Sequence, residues 1–254
     1  MEGRDNKSLK DKYDEVYKKG KESFFTFDSL DISGAVLQED GWKGKQVLEI
    51  GCGTGETAIQ IAEAGAESVL ATDYSKEAIK IAEEMHKHPK LKFECKGIEE
   101  LDGKYDVVVM QEVLEHTDDP FAVLKSLKGF MKEDSKLIVT CPNFTNIRGY
   151  IWMSLQLLLN VPMSLSDVHF LCPFNIQEWA DELGLKLKWR TIGYDKANGE
   201  KMIIDMRKRL TNALRDAKLD NTNVEKLLAW LSEVIKYDHG LPFAGVTGVY
   251  VLTK

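Results

Sequence analysis

At 254 residues the chain is long enough for one full α/β domain with residues to spare. Its 43% hydrophobic and 30% charged residues are the ordinary balance of a globular protein with a normal core. The formal net charge of −7 argues against a broad nucleic-acid surface, though not against a local basic groove. Glu2, Arg4, Asp5 and Lys7 follow Met1 where a secretion signal would be apolar. The most apolar long segment, residues 150–161, falls short of the roughly 20 needed to span a bilayer. Cys52, Cys95, Cys141 and Cys172 form no C-x-x-C pair and read as reduced, mostly buried thiols. Together these features predict a cytoplasmic protein.

Residues 1–40 are expected to form an N-terminal helical cap. Tyr13, Val16 and Tyr17 make a weak apolar stripe, and Phe24, Phe25 and Phe27 follow. This segment reads either as a packing helix or as a lid over a ligand. Gly41-Trp42-Lys43-Gly44-Lys45 is a turn that opens a core over residues 41–142. Strand β1 is predicted at 46–50, a helix at 56–64 stopped by Gly65, and β2 at 68–72. A second helix follows at 76–86, with β3 at 91–95 and β4 at 105–110. A helix at 121–130 leads to β5 at 136–141, ended by Pro142. Strands alternating with helices predict a doubly wound parallel α/β sheet. The rhythm then breaks at an apolar, aromatic insertion over 143–174, placed next to the ligand edge of the sheet. A helix at 175–183 and a strand near 185–192 resume it. Residues 196–240 carry two helical stripes, one of Met202, Ile203, Met206, Leu210 and Leu214 and another of Val224, Leu227, Leu228, Leu231 and Ile235. A last strand is expected at 245–252.

The stretch Val47-Leu48-Glu49-Ile50-Gly51-Cys52-Gly53-Thr54-Gly55 runs from β1 straight into three alternate glycines. Glycines past a strand end let a ligand approach bare backbone, and a helix start just beyond offers N–H groups to the same crevice. The dinucleotide fingerprint needs a third glycine at position 56, where this chain has Glu56, unfavourable beside a pyrophosphate. No Gly-Lys-Ser/Thr follows, so a P-loop is excluded. The pattern suits a ligand with an amino-acid end: Glu49 for an ammonium, backbone N–H groups for a carboxylate. Asp73, some twenty positions on, can accept from the hydroxyls of a ribose, with Tyr74 beside it. The alternative role for Asp73 is to cap the helix that starts at Ser75–Lys76.

With Ala71-Thr72-Asp73-Tyr74-Ser75, Tyr105-Asp106-Val107-Val108-Val109 and Glu112-Val113-Leu114-Glu115-His116, this motif resembles the class I S-adenosylmethionine-dependent methyltransferases over residues 40–195. The resemblance implies a seven-stranded Rossmann-like sheet with a reversed last strand. It implies that Gly51, Cys52, Gly53 and Gly55 hold the methionine part of the cofactor. It places Asp73 on the ribose, Gly97 and Ile98 beside the adenine, and Gln111 along the cofactor. The family's acidic residue at position 97 is missing here, and Glu99 is its stand-in.

If residues 112–116 are helical, Glu112, Glu115 and His116 share one face. Two carboxylates and an imidazole, with His169 from the insertion as a fourth group, suit Mg²⁺ or Mn²⁺. The E-x-x-E-H pattern looks like that of the ubiquinone-biosynthesis O-methyltransferases and of the small-RNA 3′-terminal 2′-O-methyltransferases. In the latter the resemblance implies a bound metal. A coordinated cation would lower the pKa of a hydroxyl acceptor. Without metal, His116 or His169 is the general base, with Glu112 also in the expected catalytic set. The leading reading is therefore methyl transfer to a hydroxyl of a small molecule, by a monomer or homodimer. Alternatives are N-methylation, RNA 2′-O-methylation and a non-catalytic cofactor-binding protein. An anionic or sugar-like acceptor would be met by Arg148 or Tyr150. Lys201, Arg207, Lys208, Arg209 and Arg215 in the 196–240 insertion offer a second cationic surface.

Overall fold

The computed structural model describes residues 14, 29–161, 167, 169–237, 240 and 243–254. Helix α1 (Ser29–Leu37) precedes strand β1 (Gln46–Ile50), and α2 (Glu56–Glu63) leads to β2 (Ser68–Asp73). Helix α3 (Lys76–Met85), β3 (Leu91–Cys95), β4 (Tyr105–Gln111), α4 (Pro120–Gly129) and β5 (Met131–Pro142) complete the first half. Then come α5 (Ile147–Leu159), α6 (Pro173–Glu182), β6 (Lys186–Ile192), α7 (Tyr194–Asn198), α8 (Glu200–Asp216), α9 (Val224–Val234) and β7 (Thr247–Thr253). Tyr13, Val16, Tyr17, Phe24, Phe25 and Phe27 of the expected cap lie outside the described residues.

The seven strands form one sheet in the order β3-β2-β1-β4-β5-β7-β6. Strands β1 to β5 pair in parallel, whereas β7 runs antiparallel to both β5 and β6. The reversed last strand is therefore present, and β1 and β4 lie side by side in the middle. Strand order reverses at that point, and the ends of β1 and β4 face a common crevice, where open α/β sheets hold their ligands.

Alternation along the strands builds a core on each face. Val47, Val69, Ala71, Val107, Val109 and Ile138 pack with Ala58, Ile61 and Ala62 of α2 and Ile79 and Ala82 of α3. Leu48, Ile50, Val108, Met110, Leu137 and Val139 face Leu124 and Leu127 of α4 and Ile176 and Ala180 of α6. Side-chain caps fix where helices begin. Ser75 Oγ accepts from Ala78 N–H to start α3, and Asp119 Oδ1 accepts from Ala122 N–H to start α4 at Pro120.

Three expectations change. Strand β5 begins five residues early, because Met131 pairs with Tyr105 before an irregularity shifts the register to Lys136 against Val107. The apolar insertion is not buried throughout: Leu157 and Leu158 of α5 are 73% and 79% exposed, while Leu155 packs against a core. Helix α9 turns Leu227 and Trp230 outwards and buries Val224, Leu228 and Leu231. These three form a separate core with Met202, Met206 and Leu210 of α8 and Trp152 of α5. The two helical stripes read from the sequence thus meet each other and α5, away from the sheet. No helix among the described residues is long and apolar enough to cross a membrane.

Candidate active site

The loop after β1 is a backbone structure. Gly51, Gly53 and Gly55 all adopt left-handed φ values, of 74°, 52° and 84°. A Cβ on Gly51 would run into Val113 Cγ2, and one on Gly55 would come within 2.6 Å of Phe93. Gly51 and Cys52 N–H donate to Thr72 O at 2.8 and 2.9 Å, tying the loop to the end of β2.

Two carboxylates flank this loop. Asp73 accepts from Gly53 N–H at 3.0 Å through Oδ2 and from Ser75 N–H at 2.8 Å through Oδ1. It is buried, and burial raises its pKa against the pull of the N–H groups of Ser75, Gly53 and Tyr74. Since Ser75 is the helix cap, Asp73 does not hold that job: it braces the glycine loop with one oxygen and the α3 entry with the other. Glu49 is 2% exposed, and its Oε2 has no hydrogen-bond partner. Burial first, then the charges of Glu56 and Asp73, push its pKa up to about 8. A buried, unpartnered carboxylate oxygen beside open backbone fits the ammonium of an amino-acid ligand, which would satisfy it. Glu56 itself accepts from Thr54 Oγ1 at 2.7 Å and stays at the start of α2.

The remaining expected cofactor groups follow the ends of β2, β3 and β4. Gly97 and Ile98 follow β3, where Gly97 N–H donates to Glu100 Oε2 at 2.8 Å. The Glu99 carboxylate lies over Gly97, and a Cβ there would sit 2.6 Å from its Oε1. Tyr74 is half-buried next to Asp73. Gln111 closes β4, and its Oε1 accepts from Thr57 Oγ1 at 2.9 Å, which in turn lies 2.7 Å from Ser33 Oγ. Ser33 and Thr57 were not singled out from the sequence, and a hydroxyl in the first turn of α2 was the available signal.

The stretch after β4 departs from the expected helix. Glu112 sits at φ +53°, left-handed for a residue with a side chain, and only Leu114–His116 form a short 3-10 turn. Glu112, Glu115 and His116 therefore do not line one helical face. The three remain neighbours all the same. Glu112 Oε1 and Glu115 Oε2 are buried without hydrogen-bond partners. Burial, with the Asp167 charge adding and the Thr140 hydroxyl opposing, pushes Glu112 up to about 7. Glu115 rises well above the carboxylate range through burial and then the charge of Glu112. His116 Nε2 is 3.7 Å from Glu115 Oε1, and its Nδ1 is 3.4 Å from Asp167 Oδ1. His169 N–H donates to Glu115 O at 3.1 Å, while its Nε2 lies 3.3 Å from Asp118 O. Cys141, Cys172 and Tyr250 lie behind the carboxylates, with the Cys141 thiol pushed up by burial and then by Glu115 and Glu112.

The metal expectation finds no support in the described residues. Among the described residues, no three His, Cys, Asp or Glu side chains form a group that could hold a metal ion. The left-handed turn at Glu112 breaks the helical spacing, and His116 and His169 are drawn to Asp167 and to the Asp118 carbonyl. Among the described residues, Glu112, Glu115, His116 and His169 are not gathered into one such group. Most of the expected cations are in ion pairs. Arg148 pairs with Asp205, Lys201 with Asp195, Arg207 with Glu225, Arg209 with Asp205 and Arg215 with Asp216.

A family model described as a methyltransferase domain matches residues 31–222, most of the chain. The chain belongs to the S-adenosylmethionine-dependent methyltransferases. This methyltransferase is 30% identical to the ubiquinone biosynthesis O-methyltransferase of Coxiella burnetii over 161 residues, covering 60% of this chain and 68% of that one. Its fold superposes on the solved complex of the Haloferax volcanii Trm112 methyltransferase activator with a methyltransferase, at a TM-score of 0.62. The identity is 15%, with 99% of this chain and 98% of that one covered. It also superposes on the DhpI–SAM–HEP complex at a TM-score of 0.60 and 19% identity, over 74% and 94% of the two chains. The cofactor of the methyltransferase is S-adenosylmethionine, and the unpartnered Glu49 and the left-handed glycine cradle fit it.

Proposed function

We propose that the protein transfers the methyl group of S-adenosylmethionine to a hydroxyl of a small molecule, with Glu112 as the group that receives the hydroxyl proton. Bound S-adenosylmethionine supplies an electrophilic sulfonium methyl. Glu49 takes the ammonium of its amino-acid end, and the N–H groups of the Gly51–Gly55 loop meet its carboxylate. Asp73 accepts from the ribose hydroxyls while it braces Gly53. Gly97 and Ile98 border the adenine, and Gln111 and Tyr74 flank the cofactor.

The observation that carries the acceptor side is Glu112. It is the first residue past β4, its backbone is held at φ +53°, and its Oε1 is buried without a partner. Strained positions of this kind recur where a side chain must be aimed. A carboxylate pushed up to about 7 is an effective base near neutral pH, best matched to an acidic hydroxyl such as a phenol. The name of the Coxiella burnetii relative points the same way, to an oxygen acceptor.

The deciding experiment is methyl transfer from labelled S-adenosylmethionine to a panel of phenols, sugars, amines and oligoribonucleotides. Turnover of a phenolic or alcoholic compound is expected, with no gain from added Mg²⁺ and no loss in chelator. Turnover confined to the amines or the oligoribonucleotides would overturn the proposal.

A further inference from the structure

Two buried hydroxyls have no part in the scheme above: Ser33 of α1 and Thr57 in the first turn of α2. Buried hydroxyls are rarely left without partners, and these two find theirs in each other and in Gln111. Ser33 Oγ lies 2.7 Å from Thr57 Oγ1, and Thr57 Oγ1 donates to Gln111 Oε1 at 2.9 Å. A threonine hydroxyl has one proton. Because that of Thr57 goes to Gln111, its contact with Ser33 takes the proton of Ser33. The line therefore runs one way, from Ser33 to Thr57 to the Gln111 carbonyl. Helix α1 is itself fixed: Trp42 Nε1 donates to Leu37 O at 2.9 Å, and Val36 packs into the core with Ala58 and Ile61 of α2.

With its carbonyl engaged, the Gln111 amide turns its NH2 away from Thr57. Gln111 is half-buried, and its Nε2 makes no hydrogen bond among the described residues. Donors are thus left over at the end of β4, where that strand and its neighbour β1 open into the crevice. The start of α2, which Gln111 touches through Thr57, is unfilled as well. Gly55 caps it without a side chain, and the first-turn N–H groups have no carbonyl within the helix to donate to. A ligand group that meets both sets must accept hydrogen bonds. The charges of Glu56 and Asp73 bear on Glu49, so the loop is anionic. The ammonium of the cofactor offsets Glu49, but the carboxylate at the same end enters this field and needs several N–H donors to be held.

We propose that α1 takes part in cofactor binding: Ser33 holds Thr57, Thr57 holds the Gln111 carbonyl, and the Gln111 NH2 donates to the carboxylate of the cofactor's amino-acid end. Ser33 and Thr57 are positioning residues that act through Gln111. An amide free to flip would also present its oxygen to that carboxylate, and the line of hydroxyls removes that orientation. The inference rests on the proposed seating of the amino-acid end at Glu49 and the Gly51–Gly55 loop, which Glu49→Gln tests separately.

The test is calorimetry of the full chain with S-adenosylhomocysteine and with methylthioadenosine, which keeps the adenosine and the sulfur but has no amino-acid end. Gln111→Leu should weaken S-adenosylhomocysteine about 10-fold and leave methylthioadenosine within about twofold of native. Thr57→Val should act in the same direction, and Thr57→Ser should restore native binding. Ser33→Ala should give a smaller loss that vanishes in the Gln111→Leu background. A merely structural defect weakens both ligands together, so methylthioadenosine reports on the integrity of each variant. An unchanged S-adenosylhomocysteine affinity in Gln111→Leu, an equal loss of both ligands there, or an undiminished loss from Ser33→Ala on top of Gln111→Leu overturns the proposal. If Thr57→Val no longer binds methylthioadenosine, Ser33→Ala, which keeps Thr57, decides. Should Glu49→Gln narrow the preference for S-adenosylhomocysteine while Gln111→Leu does not, this proposal fails and the seating stands; should neither narrow it, both fail.

Discussion

The two ends of the crevice are built on different plans. The cofactor end is mostly backbone: three left-handed glycines, N–H groups on Thr72 O and Asp73, and a single unpartnered carboxylate at Glu49. The proposed acceptor end is side chains brought from far apart: Glu112 and Glu115 after β4, Cys141 on β5, Tyr250 on β7 and Asp167 beyond α5. A backbone cradle depends on residues adjacent in sequence and serves one ligand. A cluster of distant side chains can be rebuilt element by element, which suits an end whose acceptor differs between enzymes.

Substitutions should separate the ends cleanly. The largest effect is expected from Glu112→Gln, with kcat lowered by about 10²–10⁴-fold and cofactor affinity within about twofold of native. Because Glu112 acts when ionised and sits at about 7, native kcat/KM should fall as pH drops below about 7. A flat profile from pH 5 to 8 would remove it as the base. Asp73→Ala should do the reverse. Calorimetry should show S-adenosylmethionine bound roughly 10²-fold more weakly, since both a ribose acceptor and the brace on Gly53 are lost.

Glu49→Gln sharpens the contrast further. A carboxyl whose folded pKa is raised from 4.5 to about 8 holds an extra proton in the native state between those values. Its contribution to stability is present below pH 4.5 and is lost as pH rises towards 8. Glutamine removes that loss, so the cofactor-free variant should melt higher than native at pH 8, by roughly 2–4 °C per kcal/mol recovered. The same change should weaken cofactor binding, because the ammonium loses its charged partner. Equal melting at pH 5 and a gap at pH 8 is the expected scan. The smallest effect belongs to the exposed end of α5: Leu157→Ser with Leu158→Ser should change stability by no more than about 0.5 kcal/mol.

The cofactor end was legible because its signals are local. Left-handed backbone calls for glycine, so Gly51, Gly53 and Gly55 announced the loop, and Asp73 stood at the distance that β2 imposes. The acceptor end was legible in composition but not in arrangement. Glu112, Glu115 and His116 were found, but helical spacing was assumed for them and the structure has a left-handed residue followed by a 3-10 turn. The return of the insertion to the β4 turn was expected through His169, but Asp167, two residues earlier, has no spacing signal that puts its carboxylate 3.4 Å from His116. Helix α9 shows the same limit. Its stripe included Leu227, yet only packing against α8 decides which half of the apolar arc is buried.

By itself the sequence determined the alternation of strands and helices, the glycine loop, the family and the cofactor, because each follows from patterns within a few turns of chain. The tertiary structure alone decided where β7 inserts, how the chain turns at Glu112, and that the carboxylates after β4 are buried. Those depend on which distant segments share a dielectric and a few ångströms, and spacing along the chain does not encode that.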